Sequence, residues 1–393
     1  MTIQIAMVAG EASGDLLASH LMRALKRHLP HARFVGIGGP KMQAEGFESW
    51  WPQEKLAVRG YAEVLRHYRE LASIRRQLAA RIVRERPAAF IGVDAPDFNL
   101  WLERKCKAAG IPAIHYVSPS IWAWRGGRIK NIARSVSHML CLFPFEAPLY
   151  EAAQVPVSYV GHPLADVFPL ESQRAAARAR LGISDDAMVF ALLPGSRQSE
   201  LQYMAQTYVE TAGLLMQRFP TARCLVPFAT RETREIFETA LWRANAQELP
   251  VVMLFGHAHD ALAACDAALV ASGTATLEAA LLRAPHVITY KMSPWSWRIM
   301  KRMGYQPWVG LPNIMAGRFV VPEILQDEAQ PEILAQALGN LVADRTVCTR
   351  MRAAFDAVHR SLRRNTAEAA AAAILPYLRR ASATAPAQAA EAV

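Results

Sequence analysis

Short apolar runs alternate with amphipathic helical patterns along most of the chain, and this alternation narrows the choice of fold more than any other feature. The runs are Ile3–Val8, Arg33–Ile37, Ala89–Val93, Ala113–Val117, His138–Phe143 and Tyr159–Gly161. They continue with Met188–Leu193, Cys224–Phe228, Val251–Phe255, Ala267–Ala271 and His286–Tyr290. Helical periodicity fills the gaps, as in Leu16–Arg27 and Leu201–Phe219. Strands that alternate with helices form parallel sheets covered on both faces. About ten strands exceed one comfortable doubly wound sheet. A division is therefore expected in the breaker-rich GHPLADVFPLESQ, Gly161–Gln173. The expected fold is α/β, with two Rossmann-like domains at residues 1–165 and 166–344. Pro331–Leu378 reads as mostly helical, and residues 379–393 carry too little apolar bulk to pack, so a disordered tail is expected there.

Composition sets outer limits. With 393 residues and 52% hydrophobic content, the chain can bury two cores. Lys and Arg number 44 against 34 acids, a net charge of +10. That excess suits nucleic acid, an anionic membrane or phosphorylated ligands, and by itself selects none of them. No nucleic-acid-binding motif accompanies it, so nucleic acid is disfavoured as a partner. Cys106, Cys141, Cys224, Cys265 and Cys348 form no CxxC pair and sit mostly in apolar runs, as reduced core thiols of a cytoplasmic protein would. No basic leader and no 18-residue uncharged apolar stretch is visible. Neither a signal peptide nor a spanning helix is expected, so any membrane contact would be peripheral.

Ligands of open α/β sheets bind beyond the carboxyl ends of the strands, so chemistry is sought in the loops that follow them. GIGGPKM at Gly36 breaks the dinucleotide fingerprint at its third glycine, and no P-loop GK[ST] occurs. No His, Cys or acid set has metal-ligand spacing, and GxSxG is absent. The remaining loops differ in charge between the two halves. GEASGD at Gly10 and DAPDFN at Asp94 carry Glu11, Asp15, Asp94 and Asp97. LPGSRQSE at Leu193 and ASGTATLE at Ala271 put small residues and Arg197 ahead of any acid. Amides at a small-residue helix start, together with a guanidinium, suit a diphosphate that carboxylates would repel. The second half is therefore expected to hold a diphosphate, and the first to present bases and hydroxyl-binding acids to a partner substrate.

Each residue also has a structural alternative. Asp15 fits a first helical turn, and Asp97 fits an N-cap before Phe98. Asp94 ends an apolar strand and precedes Ala-Pro, where capping explains it less well, so a catalytic role is favoured. Arg197 reads as an anion ligand or a surface side chain. Glu278, four residues beyond Thr274, reads as a ribose ligand or a solvated acid. His162 in GHP reads as a structural histidine or a site residue. Two basic stretches with interleaved apolar residues could lie on an anionic membrane or simply turn an apolar stripe to the core. One is Val58–Arg86, with Val64, Tyr68, Leu71, Leu78 and Ile82 interleaved with Arg59, Arg66, Arg69, Arg75, Arg76, Arg81 and Arg84. The other is Met292–Asn313, with Trp295, Trp297 and Trp308 beside Arg298, Lys301 and Arg302.

In order, VAGEASGD at Val8, GVDAPDFN at Gly92, HYVSPSIWAWR at His115, LPGSR, SGTATLE and LPNIMAGR at Leu311 resemble the lipid-A-disaccharide synthases, inverting glycosyltransferases of the GT-B architecture. The resemblance runs from Ile3 to about Asn365. It implies an acceptor domain at the N-terminal end, a UDP-sugar domain after it, and helices at about 345–378 packing back onto the first domain. It implies UDP-2,3-diacylglucosamine as donor and 2,3-diacylglucosamine 1-phosphate (lipid X) as acceptor, joined in a β-1,6 linkage at the cytoplasmic face of the inner membrane with no metal or other cofactor. Some family members exchange C-terminal segments, so a homodimer is a further expectation. The implied base is Asp94. The implied donor residues are Arg197, Ser272, Gly273, Thr274, Ala275, Glu278, Tyr290 and Asn313. Glu11, Ser13, Gly14 and Asp97 would lie on the acceptor side of the interdomain cleft. A UDP-N-acetylglucosamine 2-epimerase of similar layout and a non-catalytic lipid- or nucleotide-binding module are the competing expectations.

Overall fold

The computed structural model describes residues 3–56, 61–123, 126–303 and 307–384. They form two compact units, one running to Asp166 and resuming at Leu362, the other spanning Val167–Ser361.

The first unit is built on β1 (Gln4–Ala9), β2 (Arg33–Ile37), β3 (Phe47–Ser49), β4 (Ala89–Val93), β5 (Ala113–Tyr116), β6 (His138–Cys141) and β7 (Val157–Tyr159). The strands pair in parallel in the order β3-β2-β1-β4-β5-β6-β7. β4 is buried at every position, as a central strand covered on both faces must be. Leu21, Met22 and Leu25 of the Ala12–His28 helix cover one face beside Ala370, Ala371 and Ile374 of the Thr366–Thr384 helix. Ile74, Leu78 and Ile82 cover the other, with Leu102 and Cys106 of the Pro96–Ala108 helix. Each such large aliphatic side chain contributes about 1.5–3 kcal/mol on burial.

The second unit contains β8 (Val189–Leu193), β9 (Arg223–Phe228), β10 (Val251–Phe255), β11 (Ala267–Ala271), β12 (His286–Tyr290) and β13 (Glu323–Leu325). These too are all parallel, in the order β10-β9-β8-β11-β12-β13. Tyr208, Leu215, Leu334, Leu338 and Phe355 pack on one face. Ala261, Leu262, Ala264 and Ala279 pack on the other. β3 and β13 escaped the sequence reading because three-residue edge strands are too short to show a period. All five cysteines are buried and free.

Two expectations about the C-terminal region need correction. The Arg345–Leu362 helix does not return to the first unit: Cys348, Met351 and Phe355 fill the core of the second. Phe355 stacks on buried His286 at 5.3 Å, and Asp356 pairs with Arg283 at 3.2 Å. The chain re-enters the first unit at Leu362, whose carbonyl accepts from His162 N–H at 2.9 Å. Gly161 makes this approach possible, since a Cβ there would lie 2.5 Å from the same carbonyl. Asp166 then caps the last helix, accepting from the Asn365 and Thr366 amides at 2.9 and 2.7 Å. That helix continues to Thr384 with Leu378 buried, so residues 379–384 are helical rather than part of a disordered tail. Residues 385–393 lie outside the described residues.

Asp15 resolves in favour of structure, by a route the sequence did not suggest. Its buried carboxylate accepts from the amides of Gly39, Lys41 and Met42, each at 3.0 Å, and so caps the short Pro40–Ala44 helix after β2. Gly39 must be glycine here, because a Cβ would meet Asp15 Oδ2 at 2.6 Å and Gln53 Oε1 at 2.1 Å. Asp15→Ala would strand three amides. It is expected to lower unfolding free energy by about 2–4 kcal/mol in urea titrations; a change below about 0.5 kcal/mol would contradict the capping role.

Candidate functional site

A doubly wound sheet opens a crevice where its strand order reverses. In the first unit the reversal lies between β1 and β4, and in the second between β8 and β11. The loops leaving those four strands are the four singled out by charge: Gly10–Glu11, Asp94–Ala95, Pro194–Arg197 and Ser272–Gly273.

In the first unit Glu11 stands at the N-cap of the Ala12–His28 helix with extended backbone, and its side chain makes no capping bond. Glu11 and Ser13 are exposed, whereas Gly14 is buried with open contact to Ala9 and the Val93 carbonyl. Gln53, which the sequence reading missed, pins the turn by donating to the carbonyls of Ala9 and Glu11 at 3.1 and 3.0 Å.

Asp94 and Ala95 are consecutive non-glycine residues with left-handed backbone, φ 53° and 44°. Such residues cost of order 1–3 kcal/mol each and persist only where the surroundings over-determine them. Here the Asp94 amide donates to the Tyr116 carbonyl at 2.8 Å, and Asn99 Nδ2 donates to the Asp94 carbonyl at 2.7 Å. The half-buried Asp94 carboxylate has no hydrogen-bond or ion-pair partner among the described residues. Asp97 does not cap the following helix, which starts at Pro96 after Ala95. It is exposed and paired with Arg128 at 2.5 Å.

The two loops of the second unit differ from each other. Gly195 has φ 123°, and the turn after it is closed by Glu200, whose carboxylate accepts from the Ser196 and Arg197 amides at 3.1 and 3.2 Å. Those amides are therefore spent, and what this loop offers an anion is the exposed Arg197 guanidinium, 3.6 Å from Glu200. At the other loop the Ser272 amide belongs to the sheet ladder, donating to the Thr289 carbonyl at 3.1 Å. This removes Ser272 N–H from the expected donors. Gly273, with φ 138°, is the N-cap of the Thr274–Leu281 helix, carries no side-chain cap and faces open space. Free amides at a helix start, with the helix dipole behind them, attract anions.

Glu278 is paired with His259 at 3.3 Å, and this hydrogen bond holds the imidazole above its ordinary range. His259 in turn packs edge-on against Phe168, at 4.8 Å. Sequence reading missed His259, whose only signal was its place in the first turn of the Ala258–Ala264 helix after β10. Tyr290 ends β12 half-buried; burial raises its hydroxyl pKa, and the charges of Glu200 and Arg197 both reach it.

Asn313 is not available to a ligand. Fully buried, it donates to the Val321 carbonyl and Glu323 Oε1 and accepts from the Val320 and Val321 amides, each at 2.8 Å. All its polar capacity goes to fixing the segment that enters β13. His162 is likewise buried, stacked on Phe143 at 5.5 Å with Nδ1 accepting from Leu164 N–H. Another missed residue, Glu146, lies buried after β6. It accepts from the Phe143 amide at 3.0 Å, and burial raises its carboxyl to about 7.

The described part of the first basic stretch turns Leu78 and Ile82 to the core. Two of its arginines lie over aromatic rings, Arg75 over Trp101 and Arg81 over Trp50. The side chains of residues 57–68 lie outside the described residues. In the second stretch Trp295 is 74% exposed with Arg298 over its ring, while Trp308 packs on Phe319.

Comparison with known proteins gives the family and the fold. The family model described as lipid-A-disaccharide synthetase (LpxB) matches residues 5–374. A lipid-A-disaccharide synthase of Azoarcus sp. is 65% identical over 96% of this chain and 97% of its own length. One from Burkholderia thailandensis is 51% identical over 95% and 96%. Among solved structures, Anabaena HepE in complex with UDP and glucose superposes with a TM-score of 0.59 at 14% identity, covering 96% of this chain and 100% of that one. The UDP-GlcNAc 2-epimerase from Neisseria meningitidis bound to UDP-GlcNAc gives 0.58 at 11%, covering 92% and 99%. At such identities these structures share the fold alone, so the epimerase alternative gains nothing from them beyond architecture. A match to one family over nearly the whole length is of a different order: this chain belongs to the lipid-A-disaccharide synthase family of GT-B glycosyltransferases.

Proposed function

We propose that the chain transfers 2,3-diacylglucosamine from its UDP conjugate to the 6-hydroxyl of 2,3-diacylglucosamine 1-phosphate, giving the β-1,6-linked disaccharide 1-phosphate and UDP. The observation that carries this reading is Asp94, a half-buried carboxylate with no partner among the described residues, on a strained turn at the switch point of the first sheet. In a single inverting displacement the acceptor oxygen bonds to the anomeric carbon as the bond to the UDP β-phosphate breaks. The hydroxyl proton passes to Asp94 and the bonding electrons leave with UDP. The Arg197 guanidinium and the amides at Gly273, Thr274 and Ala275 meet the charge that develops on the diphosphate. Ser272 serves this loop as spacer. Glu278, oriented by His259, accepts from the ribose hydroxyls, and Tyr290 stands beside Arg197. Glu11, Ser13 and Gly14 contact the acceptor, and the Asp97–Arg128 pair borders them.

We further propose that the chain works at the inner-membrane surface, where both acylated substrates reside. Among the described residues no helix is long and apolar enough to cross a membrane. The exposed Trp295 with Arg298 supports a peripheral contact.

Mass spectrometry of products from purified protein and both acylated substrates tests the reaction: the joined disaccharide and free UDP are expected, and epimerised UDP-GlcNAc from UDP-GlcNAc alone would favour the competing enzyme. Asp94→Asn is expected to lower kcat by about 10²–10⁴-fold with UDP affinity unchanged; normal turnover would remove Asp94 as base. Arg197→Ala is expected to weaken UDP binding about tenfold or more, read by calorimetry, since charge-assisted bonds contribute about 1.5–3 kcal/mol. Asn313→Ala is expected to lower stability by about 2–4 kcal/mol and leave the UDP affinity of the folded protein unchanged.

A further inference from the structure

Beneath the Asp94 turn lies a buried polar group that the reaction above does not use. Gly92 of β4 is in register with His115 of β5. A Cβ at Gly92 would fall 2.2 Å from Glu103 Oε1, 2.9 Å from Asn99 Cβ and 3.0 Å from Asn99 Cγ. The missing side chain therefore makes room for Asn99, Glu103 and His115, all fully buried. Glu103 Oε1 meets His115 Nδ1 at 2.6 Å. Asn99 Nδ2 donates to the Asp94 carbonyl at 2.7 Å and reaches the Val93 carbonyl at 3.4 Å.

Three buried atoms of this group have no partner among the described residues: Asn99 Oδ1, Glu103 Oε2 and His115 Nε2. An orphaned polar atom costs about 1–3 kcal/mol, and more if it is charged. An ionised Glu103 would leave two acceptors and, on a protonated imidazole, an N–H unpaired. A single proton on Glu103 Oε2 removes most of that cost. Asn99 and Glu103 stand one helical turn apart on the same face, so that proton can be donated to Asn99 Oδ1. His115 then donates through Nδ1 and leaves only a lone pair at Nε2. Burial, which drives the Glu103 carboxyl above its ordinary range, acts in the same direction.

We propose that Asn99, Glu103 and His115 are positioning residues for the base, joined in a hydrogen-bond chain from His115 through protonated Glu103 to Asn99, whose far end holds the Asp94 carbonyl and keeps its turn left-handed. The proposal rests on Asp94 being the base. A misplacement of the base on the order of 1 Å is enough to cost about 10²-fold in rate, so the chain's effect falls on kcat rather than on donor binding.

The test is steady-state kinetics on the full-length enzyme with both acylated substrates, alongside UDP affinity and melting temperature. Asn99→Asp keeps the shape and deletes both N–H donors; it is expected to lower kcat about 10–100-fold with UDP affinity unchanged. Glu103→Gln offers one donor and one acceptor, as the protonated acid does, and is expected to stay within about threefold of wild type, whereas Glu103→Leu loses about tenfold or more. In an Asp94→Asn background Asn99→Asp should add less than about threefold, because its effect passes through the missing base. Several results overturn the proposal: a lowered melting temperature with unchanged kcat of the folded enzyme, Glu103→Gln as damaging as Glu103→Leu, or the full loss recurring in the double variant. Should Asn99→Asp not fold, Asn99→Ser removes the same reach and is judged by the same criteria. An Asp94→Asn enzyme with normal turnover overturns the base assignment, whereas an inactive Asp94→Asn with an unaffected Asn99→Asp overturns only the network.

Discussion

Strands apolar on both faces are the constraint from which the rest of this molecule follows. They cannot stay in water, and a parallel pair needs a crossover, so every strand calls for a helix and the helices must be shared between two faces. Covering both faces means winding outward from the middle in each direction, and the winding leaves one point per sheet where neighbouring loops part. The chain places at those two points loops with a concentration of unusual chemistry: carboxylates in the first unit, a guanidinium and helix-start amides in the second. The fold and the position of these loops are thus a single consequence of hydrophobic patterning.

The two units solve the problem of a strained or open loop differently. After β4, two successive left-handed residues are tolerated because both flanking peptide groups are tied, one to β5 and one to a buried carboxamide. After β11 a glycine takes the unusual backbone conformation at little cost and keeps its surroundings empty. The first solution fixes a side chain in one direction, which suits a group that must meet a proton. The second exposes backbone amides, which suits a ligand bearing many equivalent oxygens.

Sequence patterning revealed the long strands, the two-sheet architecture and the four loops, because hydrophobic period and loop charge are local properties. It failed where a residue's role depends on what lies across space. Asp15 and Asn313 look like site residues in their motifs, yet Asp15 spends its carboxylate on backbone amides of another segment, and Asn313 spends its amide on backbone groups and the Glu323 carboxylate. Glu200 closing the turn before it was hidden for the same reason. His259 and Gln53 gained their roles only when folding brought them to Glu278 and to the β1 turn. The helix at residues 345–362 joins the second unit, against the expectation from the family; its apolar stripe of Cys348, Met351 and Phe355 could equally cover either core, and its contacts with His286 and Arg283 are what distinguish them.

The return of the chain at Leu362 bears on the order of assembly. The helix that completes one face of the first sheet begins at Thr366, and Glu368 on it pairs with Arg27 of the first helix, 341 positions earlier. During synthesis the second unit has all its strands before that helix exists. The unit translated first is therefore the unit finished last, with Leu21, Met22 and Leu25 lacking their cover until the end of the chain is made. A nascent chain of this kind carries an open apolar face through most of its translation, and its native state closes with a contact of very long sequence separation, the kind that slows folding most.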